Sequence, residues 1–160
     1  MSIMVDAAPG YELPLRFLAA FRAAVDAVHD DLARAGHPHL RPMHGFVFQA
    51  IGTRGTTAVE LGARLGVTKQ AAGKTIAALE QQGYVERAPD PADARRKAVR
   101  LTAAGLDVLA RSAAVFERVR AEWAHTIGPD RLTALEADLA ALTPGDLLPL
   151  DTPTWFGPGA

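Results

Sequence analysis

The chain contains no cysteine, which excludes disulfides and thiolate metal ligands along its 160 residues. Aromatic residues make up only 6% of the chain, and no apolar run is long enough to cross a membrane. The first residues, MSIMVDAAPGYELP, lack the basic stretch and hydrophobic core of a signal peptide. We therefore expect a cytoplasmic protein that has no membrane partner and forms a single domain.

The formal net charge is only −1, which argues against a uniformly basic nucleic-acid-binding protein. The charges are nevertheless unevenly distributed. Residues 53–101 contain nine Lys and Arg against five Asp and Glu, a local net charge of +4, which leaves −5 for the rest of the chain. A positive segment in an otherwise acidic chain indicates a surface that contacts phosphate groups.

The positive segment begins with a helix signal at Thr57, which is followed three residues later by Glu60. This spacing is typical of a capping box, in which each residue caps the backbone of the other. Leu61 and Leu65 share one face of the predicted helix. Gly66 then suits a left-handed stop, because it has no Cβ atom.

A second helix is predicted to follow at once, with Thr68 as its N-cap and with Ala72, Ile76 and Leu79 as its buried stripe. Two short helices joined by a tight turn containing glycine are typical of a helix-turn-helix. The second helix of such a unit contacts DNA base edges with its N-terminal residues. In this chain those residues are Thr68, Lys69, Gln70, Gly73 and Lys74.

These side chains suit base recognition, because Gln70 can pair with adenine while Lys69 or Lys74 can contact guanine or phosphate. Gly73 lowers the stability of the helix. A close approach of its backbone to DNA would explain it, and so would close packing of two helices. The sequence leaves both explanations open.

A hairpin is predicted next, with Tyr84 to Arg87 as its first strand, a break at Pro89-Asp90-Pro91, and Ala98 to Leu101 as its second strand. The loop between the strands carries Arg95, Arg96 and Lys97. Alone, these three charges could be an ordinary solvated run. After a recognition-like helix they predict a wing that contacts the minor groove or phosphates, with Asp93 orienting Arg95 through an ion pair.

The whole pattern resembles the MarR (multiple antibiotic resistance regulator) family of bacterial transcription factors. The resemblance rests on LGVTKQAAGKTIAALEQQGYVER, the wing DPADARRKAVRLT, Gly105, and helical patterns on both sides, and it spans roughly residues 13–142. Asp93 and Arg95 match the Asp-x-Arg pattern of the family wing. Ala94 stands where the family often has arginine, so one possible wing contact is missing.

Three apolar seams flank the winged unit, with spacings of three and four residues that suit helix–helix packing. They could pack within one chain. One small lobe cannot cover all three, however, and the resemblance implies that the first and the last two helices form a dimer interface. The seams are Leu18, Phe21, Val25, Val28 and Leu32; Leu106, Leu109, Ala113, Phe116 and Trp123; and Leu132, Leu135, Leu139 and Leu142.

The expected fold is mainly α-helical, with about six helices and a small β-hairpin wing. We expect residues 1–12 to be flexible, residues 13–36 and 102–142 to form a helical dimerisation region, and residues 37–101 to form the DNA-binding lobe. Residues 143–160 are rich in proline and glycine and predict an irregular tail. Trp155 and Phe156 in that tail could anchor it on the body or on a partner.

A further helix is predicted from Arg41 to Ile51, between the dimerisation region and the helix-turn-helix. In the family that the chain resembles, a ligand pocket often lies at this junction, which implies a small aromatic or amphipathic effector. Plain core packing is the alternative for each candidate residue. The candidates are Phe21, Met43, His44, Phe46, Val47, Phe116 and Trp123.

No metal or other cofactor is expected. His37, His39 and His44 are close in sequence, but no matched second pair of ligands follows them on a later helix. His29 is expected on a solvated helix face. An enzyme is also not expected, because the sequence lacks a nucleophile–base pair, a metal-ligand cluster and a phosphate-binding glycine loop.

These patterns predict a sequence-specific DNA-binding transcriptional regulator, a repressor, that binds a pseudo-palindromic operator as a homodimer and is released by a small ligand. Two alternatives remain open. The winged unit could be a protein–protein interaction module, although the polar second helix does not favour that. The protein could also be a DNA-binding factor that needs no ligand.

Overall fold

The computed structural model of the protein describes residues 9–147 and contains six α-helices and three short β-strands in that range. The predicted fold class is confirmed. None of the helices in residues 9–147 is long and apolar enough to span a bilayer. In chain order the elements are α1 Glu12–Arg34, α2 Pro42–Ile51, β1 Thr56–Thr57, α3 Ala58–Leu65, α4 Lys69–Gln81, β2 Val85–Pro89, β3 Lys97–Leu101, α5 Ala103–Ile127 and α6 Pro129–Leu142.

The three strands form one antiparallel sheet in the order β1-β3-β2. Val85 lies opposite Leu101 at one end of the hairpin, and Pro89 lies opposite Lys97 at the other. Strand β2, the first strand of the hairpin, was predicted to end at Arg87 and instead ends at Pro89. A proline is tolerated at the end of a strand. Strand β1 was not predicted, since two residues are too few to show a period-2 pattern.

Both predicted helix caps in the lobe are present. The hydroxyl of Thr57 accepts a hydrogen bond from the Glu60 amide, and the hydroxyl of Thr68 accepts one from the Ala71 amide. Gly66 ends α3 in the left-handed conformation at φ 68°. The predicted stripes are buried, and they consist of Leu61 and Leu65 on α3 and Ala72, Ile76 and Leu79 on α4.

Gly62 fixes how closely the chain passes over α3 on its way to α4. A Cβ atom at this position would lie 2.9 Å from the carbonyl oxygen of Val67 and 3.4 Å from the amide nitrogen of Lys69. Any larger residue would push the two helices apart. Glycine at position 62 therefore sets the angle at which α4 is presented.

The C-terminal half of α1 packs against α5, with Val28 and Leu32 in the same core cluster as Val108 and Val115. The buried face of α5 consists of Val108, Ser112, Val115 and Val119. It is displaced from the predicted seam, which the structure leaves largely exposed. Helix α5 therefore has two apolar faces, and only one of them is used within the chain.

More than half of the seam residues are exposed in this chain, whereas Val28, Leu32 and Leu132 are buried within it, so packing within one chain accounts for only part of the seams. Contiguous exposed apolar surface of this kind marks an interaction site. The exposed large apolar residues on the three helices include Leu13, Leu15, Phe17, Leu18 and Phe21 on α1, Leu106, Phe116 and Trp123 on α5, and Leu135 and Leu142 on α6.

The predicted boundaries of the lobe fall in the loop between α1 and α2 and between β3 and α5. Helix α1 begins at Glu12, the last residue of the segment predicted to be flexible. Residues 1–8 and 148–160, which include Trp155 and Phe156, lie outside the described residues, so the predicted anchoring of the tail stays a prediction.

Candidate nucleic-acid interface

The N-terminal turn of α4 is accessible. Thr68, Lys69, Gln70 and Lys74 are all exposed, and Gly73 lies beside them, half-buried. Their accessibility follows from the buried stripe on the opposite face, which turns the polar face of α4 outward. The side chains predicted to contact base edges therefore share one free surface.

Gly73 has open space on its outer side. A Cβ atom there would meet nothing within 4 Å among the described residues. Close packing of another helix of this chain is therefore wrong as the reason for this glycine. The open space is compatible with the other explanation, which is a close approach of an external surface.

The wing is a tight loop that two aspartates hold in shape. Asp90 accepts a hydrogen bond from the Ala92 amide at 2.9 Å, and Asp93 accepts one from the Arg95 amide at 3.0 Å. Asp93 therefore orders the backbone at Arg95, and the ion pair predicted between their side chains is wrong. The side chains of Arg95, Arg96 and Lys97 are exposed around this loop.

A groove of about 430 Å³ runs between the start of α4 and the wing. The N-terminal end of α3 contributes Thr57, Ala58 and Val59 to its wall. The groove is rich in positive charge. Its cationic lining residues are Lys69, Arg87, Arg95, Arg96 and Lys97.

Arg87 was not predicted to belong to this surface. It lies on β2, and its Nε atom is 3.3 Å from a carboxylate oxygen of Glu80 on α4. This ion pair connects the recognition helix to the wing sheet. The sequence showed only that Arg87 belongs to the first strand of the hairpin. It could not show that this strand borders the groove.

A second, mostly apolar cavity lies where α1, α2 and α5 meet, with a volume of about 70 Å³. Of the predicted pocket residues, Phe21, Phe46 and Phe116 line it, and the rings of Phe21 and Phe46 stack with centroids 6.3 Å apart. The other four predicted residues do not line it. They are Met43, His44, Val47 and Trp123.

Three of the four exceptions have physical reasons. Val47 is only 3% exposed and packs in the core, while Trp123 lies two turns beyond Phe116, toward the far end of α5. The ring of His44 caps α2, because its Nδ1 atom accepts a hydrogen bond from the Arg41 amide at 3.1 Å. Sequence spacing placed these residues on the right helices without fixing which way each side chain points.

The polar groups at the cavity include His29, Arg41, Gln49 and Ser112. The prediction for His29 is wrong, since its ring is half-buried at the cavity rather than on a solvated face. Burial lowers the pKa of His29, and burial also lowers the pKa of His44. Both rings are therefore held toward the neutral form.

The histidines of the α1–α2 loop are not brought together with His44. His37 contacts Tyr84 and Asp107, whereas His44 caps its own helix. Within residues 9–147 no three His, Asp or Glu side chains are arranged so that they could hold a metal ion.

A helix-turn-helix with a basic wing beside it defines a winged-helix protein, and the comparisons agree. Residues 40–96 match the family model described as MarR family. A comparison with curated proteins found no match. Among solved structures, the apo form of MarR from E. coli is 22% identical, with a TM-score of 0.60, over 87% of this chain and 100% of that chain.

Two DNA complexes are also similar. The transcriptional repressor CouR bound to a 23-mer DNA duplex is 25% identical, with a TM-score of 0.62, over 83% of this chain and 90% of that chain. An E. coli MarR mutant complexed with operator DNA is 22% identical, with a TM-score of 0.63, over 87% and 100%. The chain is thus similar to the MarR family over residues 40–96 and shares the winged-helix fold of these solved structures.

Proposed function

We propose that this protein is a transcriptional repressor that binds a pseudo-palindromic operator as a homodimer. The observation that carries the proposal is the groove between α4 and the wing, where five Lys and Arg side chains gather in a chain whose net charge is −1. A DNA-binding protein needs such a local positive surface, because contacts with the phosphates supply most of its sequence-independent affinity for the duplex.

In this proposal α4 enters the major groove, where Lys69, Gln70 and Lys74 contact base edges or phosphates. Thr68 caps the helix and lies at the same end. The open space at Gly73 lets the helix backbone approach the DNA. Arg95, Arg96 and Lys97 reach the minor groove or its phosphates, where a negative potential attracts arginine.

The proposed dimer forms through residues 13–36 and 102–142, whose exposed apolar side chains need a partner. Residues 37–101 then form one DNA-binding lobe in each chain. A two-fold axis places equivalent half-sites about 10 base pairs apart, or a multiple of that. CouR, which is described as a repressor bound to DNA, supports this reading by its similar fold.

The proposed effector site is the cavity between α1, α2 and α5, whose rings of Phe21, Phe46 and Phe116 favour a small aromatic or amphipathic molecule; at about 70 Å³ the cavity has to widen to admit one. Helix α2 in its wall is the first helix of the lobe and precedes the helix-turn-helix. An effector releases the operator only if it binds better to a lobe spacing that does not fit the DNA. The proposed site of action is the cytoplasm.

The first experiment is selection of bound sequences from random duplex DNA, with the molar mass measured by light scattering. We expect a dimer that enriches a pseudo-palindrome. A Gln70→Ala variant should lose preference at one position in each half-site, whereas Gln81→Ala, an exposed glutamine at the other end of α4, should keep it. A folded dimer that enriches no sequence at low salt would contradict the proposal.

A further inference from the structure

The ring of His37 lies between the side chains of Tyr84 and Asp107. Its Nδ1 atom is 2.9 Å from the Tyr84 hydroxyl, and its Nε2 atom is 3.1 Å from a carboxylate oxygen of Asp107. Only 12% of the His37 side chain is exposed. The three residues are 47 and 70 positions apart in sequence, so only the fold brings them together.

The hydrogen-bonding groups in the arrangement match. The Asp107 carboxylate accepts from Nε2, and the Tyr84 hydroxyl, which can donate or accept, is the partner of Nδ1. Burial raises the pKa of Tyr84, which keeps this hydroxyl protonated as a donor. The Tyr84 ring is fixed by an edge contact with Phe48, with centroids 5.7 Å apart. The hydroxyl is therefore held in place on the lobe.

This cluster lies where the chain crosses between the helical region and the DNA-binding lobe. There are two crossings in the proposed division, at residues 36–37 and at residues 101–102. His37 is at the first, and its amide donates to the Leu32 carbonyl at the end of α1 at 2.8 Å. At the second, the Thr102 amide donates to the Tyr84 carbonyl at 3.0 Å. Tyr84 therefore contacts both crossings.

Ion pairs extend the cluster along the helices. Arg111 contacts Asp107 at 2.8 Å and Asp31 at 4.0 Å, and Arg118 contacts Asp31 at 3.4 Å. Asp31 is on α1, whereas the other three residues are on α5. Asp107 therefore joins the hydrogen bonds at the crossings to the ion pairs that hold α1 and α5 together.

We propose that the side chains of His37, Tyr84 and Asp107, here named the junction clasp, fix the orientation of the lobe and so select the half-site spacing that the dimer accepts. The inference rests on the proposed function of the protein as a dimeric DNA-binding regulator. The three are positioning residues, since none of them lines the cationic groove. Without the clasp, fewer bonds resist rotation about the two crossings.

Operator spacing gives the first test. The affinity ratio between the selected operator and the same operator with one base pair inserted at its centre measures how strictly spacing is read. Tyr84→Phe removes one oxygen and keeps the ring, so we expect this ratio to fall about three- to tenfold, the net effect of one hydrogen bond. His37→Gln should lower it in the same direction.

A matched control is Glu136→Gln, which weakens a surface pair with Arg120 at 2.6 Å between α5 and α6, away from the crossings. This variant should keep the wild-type ratio. An unchanged ratio in both clasp variants, with thermal unfolding showing that they remain folded, would overturn the inference. Equal loss of affinity for both operators would also overturn it, because that result indicates a general structural role.

A second test does not need DNA. The chain has no cysteine, so Gln81→Cys provides a single spin-label site at the exposed C-terminal end of α4. Electron–electron distances between the two labels of a dimer should spread over a wider range when Tyr84→Phe is added. An unchanged distribution would contradict the clasp. If the wild-type protein selects no DNA, the proposed function is contradicted. The distance distribution between the two labels would still test the junction clasp, because it does not depend on DNA.

Discussion

Thr57 and Glu60 cap each other at the start of α3. The Thr57 hydroxyl accepts a hydrogen bond from the Glu60 amide at 3.2 Å, and a Glu60 carboxylate oxygen accepts one from the Thr57 amide at 3.1 Å. The same oxygen also accepts a hydrogen bond from the Thr56 hydroxyl at 3.1 Å. This capping box fixes the end of α3 that borders the cationic groove.

Replacing Thr57 with alanine should destabilise the lobe. The substitution removes the acceptor for the Glu60 amide, and loss of an N-cap costs about 1 kcal/mol. The free energy of unfolding, measured by urea denaturation at neutral pH, should fall by that amount. The exposed Thr53 provides the control, because Thr53→Ala lies outside the helix. Equal stability of the two variants would contradict the role of the cap.

The same box predicts a pH dependence. The backbone hydrogen bond from Thr57, followed by the bond from Thr56, lowers the pKa of Glu60. A carboxylate with a lowered folded pKa adds stability above the ordinary value of about 4.3, and that contribution is lost as the pH falls through the folded pKa. The stability difference between wild type and Glu60→Gln should therefore be largest near neutrality and shrink in acid.

Denaturation of both proteins across acid and neutral pH checks this prediction. Glu86→Gln, at an exposed position on β2, is the control for the general effect of removing one carboxylate. A difference between wild type and Glu60→Gln that stays constant with pH would show that the carboxylate of Glu60 contributes through its packing and not through its charge.

Local patterns predicted the lobe well, because caps and stripes depend on neighbours in sequence. The capping residues Thr57 and Thr68, the stop at Gly66 and the buried stripe through Ile76 all depend on contacts within a few positions. The fold class and the winged unit are confirmed for the same reason, and the family model matches the part of the chain that carries these patterns, residues 40–96. Backbone hydrogen bonding and helical periodicity are local properties, and a single sequence displays them directly.

Contacts between distant segments could not be read in this way. The two apolar stripes of α5 have similar spacings, and the chain order cannot show that Val108 faces inward while Leu106 faces outward. The wrong placement of His29 has the same origin, because a shift of only one or two positions around the helix separates a solvated face from the cavity. The meeting of His37 with Tyr84 depends on how two elements cross, which no local pattern encodes.

Gly73→Ala separates stability from DNA binding. Since the added Cβ would meet no described atom within 4 Å beyond its chain neighbours and the backbone of its own helix, the folded protein has room for it, and alanine in a helix interior should add about 1 kcal/mol to the free energy of unfolding. On DNA the methyl group should clash with the close surface at a cost of about 1–3 kcal/mol. Affinity for the operator should then fall about five- to 150-fold.

Fluorescence anisotropy with a labelled operator measures that loss. Gly45→Ala is a matched control, because Gly45 lies in α2 and its Cβ would also meet nothing within 4 Å. It should raise stability and leave the affinity unchanged. If Gly73→Ala binds the operator as tightly as wild type, the backbone at Gly73 does not approach the DNA.

Arg95→Ala tests the wing. Removal of one phosphate or minor-groove contact should weaken binding and reduce the dependence of log affinity on log salt concentration by about one. Titrations at several salt concentrations give both values. Arg131→Ala, which removes an exposed arginine of α6 far along the chain from the wing, should change neither. A wild-type salt slope in Arg95→Ala would exclude Arg95 from the interface.

Phe116 and Trp123 form a natural pair for testing the effector cavity. They lie seven positions apart on α5 and are similarly exposed, at 37% and 39%, but only Phe116 lines the cavity. Phe116→Ala should remove about 1.5 kcal/mol of apolar contact with an effector, so about tenfold more effector should be needed to release the operator. Trp123→Ala should respond to the effector as wild type does.

The measurement is release of a labelled operator during titration with an effector found in a compound panel. Light scattering must first show that both variants are dimers, because both aromatic rings lie on the exposed face of α5 that we assign to the partner. Equal shifts in the two variants would place their effect at the dimer interface. If only Phe116→Ala changes the effector concentration that releases the operator, the effector contacts the cavity between α1, α2 and α5. The reason is that both variants remove a ring from the same face, but only Phe116 lines the cavity.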